Sequence, residues 1–343
     1  MGSRKVSIIV PNYNHARYLP ARLESVLGQT YTNTEVLLLD DCSQDNSCEI
    51  LQEYAARDTR IRMVFNEQNS GSTFKQWNKG MGLASGDYLW LAESDDVADP
   101  TFLAKLVAKL EANPMAGLAY CQSWRIDEHS QPHGTWGPLL AELDANLWQH
   151  DFVLPGAELV RRFMAHSNII PNASAVLMRR SALAAVGPAN ETMRVAGDWV
   201  FWVRYLMSTD VAFVAEPLNY FRFHQQNVRS RTEQDGTQLL EMAQVLRLVT
   251  TTVTPEPTLY RRAIDRMLER WLHGLVYYQM PWERHQQFVH VMAAVEPGFR
   301  WQLARRLLHF LVRNRLSGSR MLLGDKLLGR HRQPAGISIT AKY

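Results

Sequence analysis

Hydrophobic positions in the first 225 residues switch between short continuous runs and helical spacing. The aliphatic and β-branched runs predict strands at residues 6–10, 35–39, 61–65 and 88–92. Apolar residues three and four apart predict helices between them, at residues 19–27, from Ser43 as N-cap to about residue 55, and at 72–84. This alternation is typical of βαβ units, so we expect an α/β fold with a mostly parallel sheet.

Polar clusters follow three of the predicted strands, after Val10, after Leu39 and after Ala92. In an open parallel sheet, ligands bind beyond the carboxyl ends of the strands. The sequence therefore predicts a functional site at this edge of the sheet.

The rest of the chain has a different pattern. Residues 127–156 are rich in His, Pro, Gly and Trp without a clear period, which predicts a loop excursion or a lid. From about Leu239 to Leu328 the pattern is helical. We therefore expect an α/β domain at residues 1–230 and a helical extension at residues 231–343.

The composition is ordinary, but the charge is distributed unevenly between the C-terminal extension and the rest of the chain. Of the 343 residues, 46% are hydrophobic and 21% charged, as in ordinary globular proteins. The net charge of +3 is uneven, since residues 261–332 carry 14 Lys and Arg against 5 Asp and Glu. Residues 1–260 carry 22 against 29, so we expect the two parts to face different partners.

Cysteine usage and hydropathy bear on the compartment. Cys42, Cys48 and Cys121 have no zinc spacing and cannot form a full set of disulfides. No apolar run reaches the ~18 residues that a spanning helix needs, and the N-terminus has no signal-peptide core. These features predict a cytoplasmic, reducing location.

Glu93, Asp95 and Asp96, after the fourth predicted strand, are candidate metal-binding residues. Adjacent carboxylates repel each other, which favours a bound cation, and Mg²⁺ takes one or two carboxylates together with substrate phosphates. A polar turn before a helix is the alternative. The stretch also spells D-D-x-x-D, but that metal motif belongs on a helix in an all-α fold, so we reject it. We assign Asp99 as the N-cap of a helix and Pro100 as its first residue. Phosphate-loop, dinucleotide and nucleophile-elbow motifs are absent.

Five segments together resemble a known family. They read VSIIVPNYN at 6–14, LDDCSQD at 39–45, ESDD at 93–96, AGDW at 196–199 and YFRFHQQNV at 220–228. In this order they resemble family 2 glycosyltransferases, over residues 5 to about 230. The resemblance implies a GT-A fold, a three-layer α/β/α sandwich, and inverting transfer of a sugar from a nucleoside-diphospho-sugar.

The resemblance also implies a site for the donor nucleotide. Pro11 and Tyr13 would line the pocket for the base and ribose, with Tyr13 stacked on the base. Asp41 would accept the N3–H of uracil or thymine, which implies a UDP- or dTDP-sugar. Gln76-Trp77-Asn78 stands where many members have Ala-Arg-Asn, so Lys75 is the nearest candidate cation for the nucleotide.

The remaining implied residues would hold the metal and carry out the chemistry. Glu93 and Asp95 would contact the donor, and Asp95, Asp96 and His224 would hold Mg²⁺ or Mn²⁺. Asp198 matches the catalytic base that takes the acceptor's hydroxyl proton, although an aspartate at this position also suits a helix N-cap.

The basic extension contains an apolar stripe beside arginines. The apolar members are Trp301, Leu303, Ala304, Leu307, Leu308, Leu311 and Val312. Such a helix suits an anionic membrane surface, which would fit a lipid-linked glycan acceptor. The alternative is a helix that packs on the catalytic domain with its arginines in solvent. No nucleic-acid motif accompanies the charge, so we expect no nucleic-acid partner.

The resemblance implies hexosyl or deoxyhexosyl transfer to a glycan, in bacterial cell-surface polysaccharide assembly. Two alternatives stay open. One is a catalytically silent homologue that acts as a binding or scaffold protein. The other is a nucleotidylyltransferase, although the Pro11–Asn14 segment is not the Gly-rich loop that such an enzyme carries after its first strand.

Overall fold

A computed structural model describes residues 4–223, 229–278 and 280–328 of the chain, with side chains except at 229–231 and 314–328. Its strands are β1 (Val6–Asn12), β2 (Thr34–Asp40), β3 (Ile61–Phe65), β4 (Tyr88–Leu91), β5 (Val97–Ala98), β6 (Ala116–Ile126), β7 (Pro132–Thr135), β8 (Phe152–Pro155), β9 (Val176–Arg179) and β10 (Asp210–Arg222). The α-helices in the first 223 residues are α1 (Leu19–Leu27), α2 (Ser47–Arg57), α3 (Thr73–Leu83), α4 (Phe102–Ala112), α5 (Gly137–Ala141), α6 (Gly156–Leu159), α7 (Leu183–Val186) and α8 (Gly197–Ser208). Those that follow are α9 (Arg229–Gln234), α10 (Thr237–Thr252), α11 (Pro257–Tyr277), α12 (Trp282–Val295) and α13 (Phe299–Leu328).

The strands form one mixed sheet in the order β3-β2-β1-β4-β9-β6-β10-β5, with β7 paired to β6 and β8 to β10. β3, β2, β1 and β4 run parallel, as do β6 and β10, whereas β9 is antiparallel to both β4 and β6. The predicted α/β class with a largely parallel sheet is confirmed. The segment 127–156 adds β7 and β8 to this sheet, so the expectation of a loop or lid is corrected to a partly sheet-forming segment.

The β1–β4 region follows the predicted pattern closely. β1, β2 and β4 read as nearly continuous apolar runs because both of their faces are covered, and Ile9, Leu38 and Trp90 are fully buried. The edge strand β3 is partly exposed. α3 packs so closely on this layer that a Cβ at Gly80 would lie 2.3 Å from Cγ2 of Ile9. Close helix–sheet packing therefore fixes α3 over β1.

Two helix starts differ from the prediction. α2 begins at Ser47, because Asp45 accepts its N–H and hydroxyl, while the backbone N–H and hydroxyl of Ser43 donate to Asp40. The proposed Ser43 N-cap is therefore wrong. α4 begins at Phe102, where Asp99 accepts the N–H and hydroxyl of Thr101, so Asp99 supports the helix start from three residues upstream.

The chain divides into two compact units. The first contains residues up to 160, 168–193 and 197–223, and the second contains 161–167, 194–196 and the helices from α9 onward. The expected division at residue 230 stays a prediction, and the second unit takes up two short segments that precede it in the chain. None of the helices described is both long and apolar enough to cross a membrane.

At the amino edge of the sheet, Glu35 is held by four donors. The Ser7 hydroxyl, the Ser85 N–H and the Ser85 hydroxyl donate to its Oε1, and Lys5 Nζ lies 3.0 Å from Oε2. Burial by itself would raise the pKa of Glu35, but these hydrogen bonds lower it to about 2. The ionised carboxylate therefore ties β1 and β2 to the turn before β4.

We predict that Glu35→Gln lowers the free energy of unfolding by about 1–2 kcal/mol at pH 7. Because the folded-state pKa is lowered, this contribution is complete above the ordinary value of 4.5 and is lost as pH falls toward about 2. Urea unfolding at pH 7 and pH 3 measures it, with Glu53→Gln on the surface of α2 as the control. A difference between wild type and variant that does not change with pH would contradict the assignment.

Candidate active site

An acidic segment follows β4 at the carboxyl edge of the sheet. Asp96 is 1% exposed, while Glu93 and Asp95 are half-buried. Burial, and next the neighbouring charge of Asp95, raise the pKa of Glu93 to about 8 and also raise the pKa of Asp96. Three carboxyl groups are thus crowded into a poorly solvated segment, where burial and the neighbouring charge of Asp95 oppose the ionisation of Glu93 and Asp96.

Arg22 of α1 lies fully buried under this segment. Its Nε donates to the carbonyl of Glu93 at 2.7 Å, and its Nη2 donates to the Ser174 hydroxyl at 3.0 Å and lies 4.0 Å from Asp96 Oδ2. The guanidinium also lies 5.6 Å from the ring of Trp90. Arg22 was not predicted as a site residue, because it stands among the apolar positions of α1, where a leucine would also fit the period.

Arg222 at the end of β10 holds the other side of the segment and is 3% exposed. Its backbone N–H donates to Asp96 Oδ1 at 2.9 Å, and its Nε donates to the carbonyl of Asp95 at 2.7 Å. Its Nη1 donates to the carbonyl of Asp127 and the hydroxyl of Ser130. Arg222 lies inside the YFRFHQQNV segment, which was the available signal, but only the histidine of that segment was predicted as a site residue.

Asp41 follows β2 and is 5% exposed. Its Oδ1 accepts hydrogen bonds from Asn66 Nδ2, the N–H of Ser70 and Gln76 Nε2, at 2.6, 2.9 and 2.8 Å. Its Oδ2 accepts one from the Ser70 hydroxyl at 2.8 Å. Gln76, which departs from the family pattern, therefore binds the predicted base-recognition carboxylate.

The other predicted donor residues lie around the same edge. Pro11 is buried within β1, and Tyr13, just past the end of β1, is 44% exposed. Lys75 is exposed, and its Nζ donates to the carbonyl of Ser70. Because β2, β1 and β4 are neighbours in the sheet, the structure brings Asp41, Tyr13 and Glu93 to adjacent strand ends.

Trp77 links the acidic segment to α8. Its Nε1 donates to Glu93 Oε1 at 2.6 Å, and its ring lies 6.1 Å from that of Phe201. Phe201 is one turn along α8 from Asp198. Trp77 is 3% exposed, so it is a core residue that also makes a polar contact with the site.

Asp198 lies in the first turn of α8 and is half-buried. Asn168 Nδ2 donates to its Oδ2 at 3.1 Å, and the backbone N–H of Trp199 donates to its Oδ1. A Cβ at the preceding Gly197 would lie 2.5 Å from the ring of Phe74, so this start of α8 packs directly on α3. Asn168 was not predicted.

Among the described side chains, no group of three or more His, Cys, Asp and Glu residues is arranged as a metal site. His224, the predicted third ligand, lies outside the described residues. The donors present are the carboxyl oxygens of Glu93, Asp95 and Asp96. A hard divalent cation would favour their ionised form and would be completed by phosphate oxygens.

The model of glycosyl transferase family 2 matches residues 7–185, more than half of the chain. The chain belongs to that family. Glycosyltransferase GlyG of Streptococcus pneumoniae is 36% identical over 109 residues, covering 32% of this chain and 36% of GlyG. An uncharacterized glycosyltransferase of Nostoc is 29% identical over 241 residues, covering 65% of this chain and 66% of that protein.

The putative teichuronic acid biosynthesis glycosyltransferase TuaG of Bacillus subtilis is 41% identical over 91 residues, 26% of this chain and 36% of TuaG. The alignments span about a third of GlyG and TuaG. Staphylococcus aureus TarS 1–349 in complex with UDP has a TM-score of 0.60 at 17% identity, covering 96% of this chain and 93% of that one. This likeness shows the GT-A fold of the family 2 glycosyltransferase.

We predict that Arg22→Met lowers the free energy of unfolding by about 3–5 kcal/mol, because it leaves buried carboxylates without their cation. Adding Asp96→Asn removes one of these charges and restores part of the loss. Chemical denaturation measures both, with the exposed Arg57→Met as control, expected within about 0.5 kcal/mol of wild type. Wild-type stability of Arg22→Met would contradict this role.

Proposed function

We propose that this family 2 glycosyltransferase moves a hexosyl or deoxyhexosyl unit from a UDP- or dTDP-sugar to a glycan hydroxyl, with inversion. One observation carries the proposal: Asp41, Tyr13 and the acidic segment from Glu93 to Asp96 follow three neighbouring strands at one edge of the sheet. A base pocket and a diphosphate site side by side are what a nucleoside-diphospho-sugar requires.

The nucleobase would bind between Tyr13 and Asp41. Oδ1 of Asp41 already accepts three hydrogen bonds, whereas Oδ2 accepts one from Ser70 and keeps a lone pair for the N3–H of uracil or thymine. Tyr13, with 44% of its surface exposed, is available to stack on the base. Pro11 would line the pocket, and Lys75 would approach the phosphates.

A divalent cation, Mg²⁺ or Mn²⁺, would bind the half-buried Asp95 together with the donor diphosphate. It would neutralise the charge of the leaving nucleoside diphosphate. Mannosyltransferase PcManGT from Pyrobaculum calidifontis, in complex with GDP-Man and Mn²⁺, has a TM-score of 0.52 at 15% identity and covers 96% of this chain and 81% of that one. Asp96, bound by the Arg222 N–H, would support Asp95, and Glu93 would face the ribose or metal. His224 stays a candidate ligand.

Asp198 would act as the general base. Its carboxylate takes the proton of the acceptor hydroxyl while the acceptor oxygen bonds to the anomeric carbon. The bond from that carbon to the phosphate oxygen breaks, and its electron pair leaves with the nucleoside diphosphate. Attack on the face opposite the leaving group inverts the anomeric centre.

We propose bacterial cell-surface polysaccharide assembly as the setting and the cytoplasm, at the membrane face, as the location. TuaG is named for teichuronic acid biosynthesis, which supports a polysaccharide acceptor here. On α13, Trp301, Leu308 and Val312 are 81%, 62% and 69% exposed and lie on one helical face with Arg305. This face would lie on anionic lipid that carries the acceptor.

We expect Asp198→Asn to lower kcat by about 10²–10⁴-fold while leaving donor binding unchanged, because the amide cannot take the proton. Release of nucleoside diphosphate measures kcat, and calorimetric titration measures binding. The exposed Glu142→Gln is the control. Unchanged turnover in Asp198→Asn would show that another group is the base.

Addition of a UDP- or dTDP-sugar with Mn²⁺ should raise Tm by several degrees, because a ligand that binds only the native state stabilises it by mass action. Asp95→Asn should remove the part of the shift that depends on Mn²⁺. GDP- and CMP-sugars serve as controls. A shift with neither uridine nor thymidine donors would contradict the donor assignment and favour a binding or scaffold role.

Trp301→Ser combined with Leu308→Ser should abolish binding to phosphatidylglycerol vesicles in a sedimentation assay, since it removes the exposed apolar contacts. Arg305→Glu should weaken binding through charge repulsion. Phosphatidylcholine vesicles are the control for charge. Equal binding of wild type and variants would contradict a membrane role for α13 and favour the alternative of a solvent-exposed arginine face.

A further inference from the structure

Two short segments lead directly into the residues that meet at Asp198, and both belong to the compact unit of the C-terminal helices. Residues 194–196 precede Gly197 and Asp198, and residues 161–167 precede Asn168. Asn168 Nδ2 donates to Asp198 Oδ2 at 3.1 Å. The residues that bind these two segments can therefore influence the orientation of Asp198, the proposed base.

Glu241 of α10 holds the first segment. Its Oε1 accepts the backbone N–H of Arg194 at 2.7 Å, and its Oε2 accepts those of Val195 and Ala196 at 2.9 and 2.8 Å. The side chain is buried, at 5% exposure. A buried carboxylate that accepts three consecutive amide protons fixes the path of that backbone, because each bond is charge-assisted.

Arg266 of α11 holds the second segment. Its Nη1 donates to the carbonyl of His166 at 3.0 Å and its Nη2 to Nε2 of the same residue at 2.7 Å. His166 is buried, and burial, together with the charges of Arg266 and Arg262, lowers its pKa to about 3, so the ring is neutral and accepts this bond. The backbone N–H of Glu256 also donates to the carbonyl of Arg161 in this segment.

Little freedom remains between these anchors and the base. Only Gly197 separates Ala196 from Asp198, and its close approach to Phe74 leaves no room for a Cβ. On the other side, Asn168 Oδ1 accepts the N–H of Ile170 at 3.2 Å, which orients its Nδ2 toward Asp198. Displacement of either segment would therefore turn the Asp198 carboxylate.

We propose that Glu241 and Arg266 are positioning residues for Asp198, so that the C-terminal helices complete the catalytic geometry through the two backbone segments they hold. This rests on the proposed function of Asp198 as the base. A role limited to docking the extension would affect folding but not turnover by the folded enzyme. Positioning of a base affects kcat and leaves the donor site intact.

The test is Glu241→Gln in the full chain, which turns an acceptor oxygen into an N–H₂ group facing backbone donors. With UDP- and dTDP-sugars, Mn²⁺ and water as acceptor, we expect kcat for nucleoside diphosphate release to fall about 10- to 100-fold, with the donor KM within about twofold. Glu283→Gln, an exposed carboxylate on α12, is the control. Arg266→Lys, which keeps the charge but loses the paired contact to His166, should give the same selective loss and serves if Glu241→Gln does not fold.

The same substitutions in the Asp198→Asn background separate positioning from any other cause. If Glu241 acts through Asp198, Glu241→Gln changes the residual rate of Asp198→Asn by less than about threefold. Equal losses in both backgrounds, or a change confined to KM, would overturn the inference. If both variants keep the wild-type kcat while Asp198→Asn is inactive, the positioning role is wrong but the proposed base stands. If Asp198→Asn is fully active, the proposed function of Asp198 is wrong as well.

Discussion

The burial of the Glu93–Asp96 segment against two guanidinium groups is the constraint on which the rest of the site depends. Three carboxylates at one strand end would repel each other and pull the segment into solvent. Arg22 from α1 and Arg222 from β10 hold it through the carbonyls of Glu93 and Asp95 and through Asp96 itself. Removing either arginine would leave buried charge without a partner. Electrostatic attraction therefore ties the segment to α1 and to the end of β10.

The buried Glu93–Asp96 segment in turn contacts α3. Trp77 reaches Glu93 from α3, and Gln76, beside it, reaches Asp41 at the end of β2. α3 thus bridges the two polar strand ends that the donor would span. α3 also contacts α8, where Phe74 packs against Gly197, the residue that precedes Asp198.

Periodicity predicted the elements from β1 to β4 because each is a local pattern whose apolar face is read directly from spacing. The same pattern could not identify Arg22 or Glu241. Their partners lie 71 residues away, at Glu93, and 45 to 47 residues away, at 194–196. A charged residue within an apolar stripe is a weak signal until the fold shows what it meets. The family motifs identified Asp41, Asp96 and Asp198 as candidates. The residues that contact two of them, Ser174 at Asp96 and Asn168 at Asp198, carry no distinctive sequence pattern.

A crystal structure of the protein with UDP and Mn²⁺ tests the central claim most directly, since it reports where the nucleotide and the cation bind in one measurement. We expect uracil to stack on Tyr13 with its N3 at hydrogen-bond distance from Asp41 Oδ2, and manganese to bind Asp95 and the diphosphate. Nucleotide bound away from the ends of β1, β2 and β4, or manganese without contact to Asp95, would contradict it.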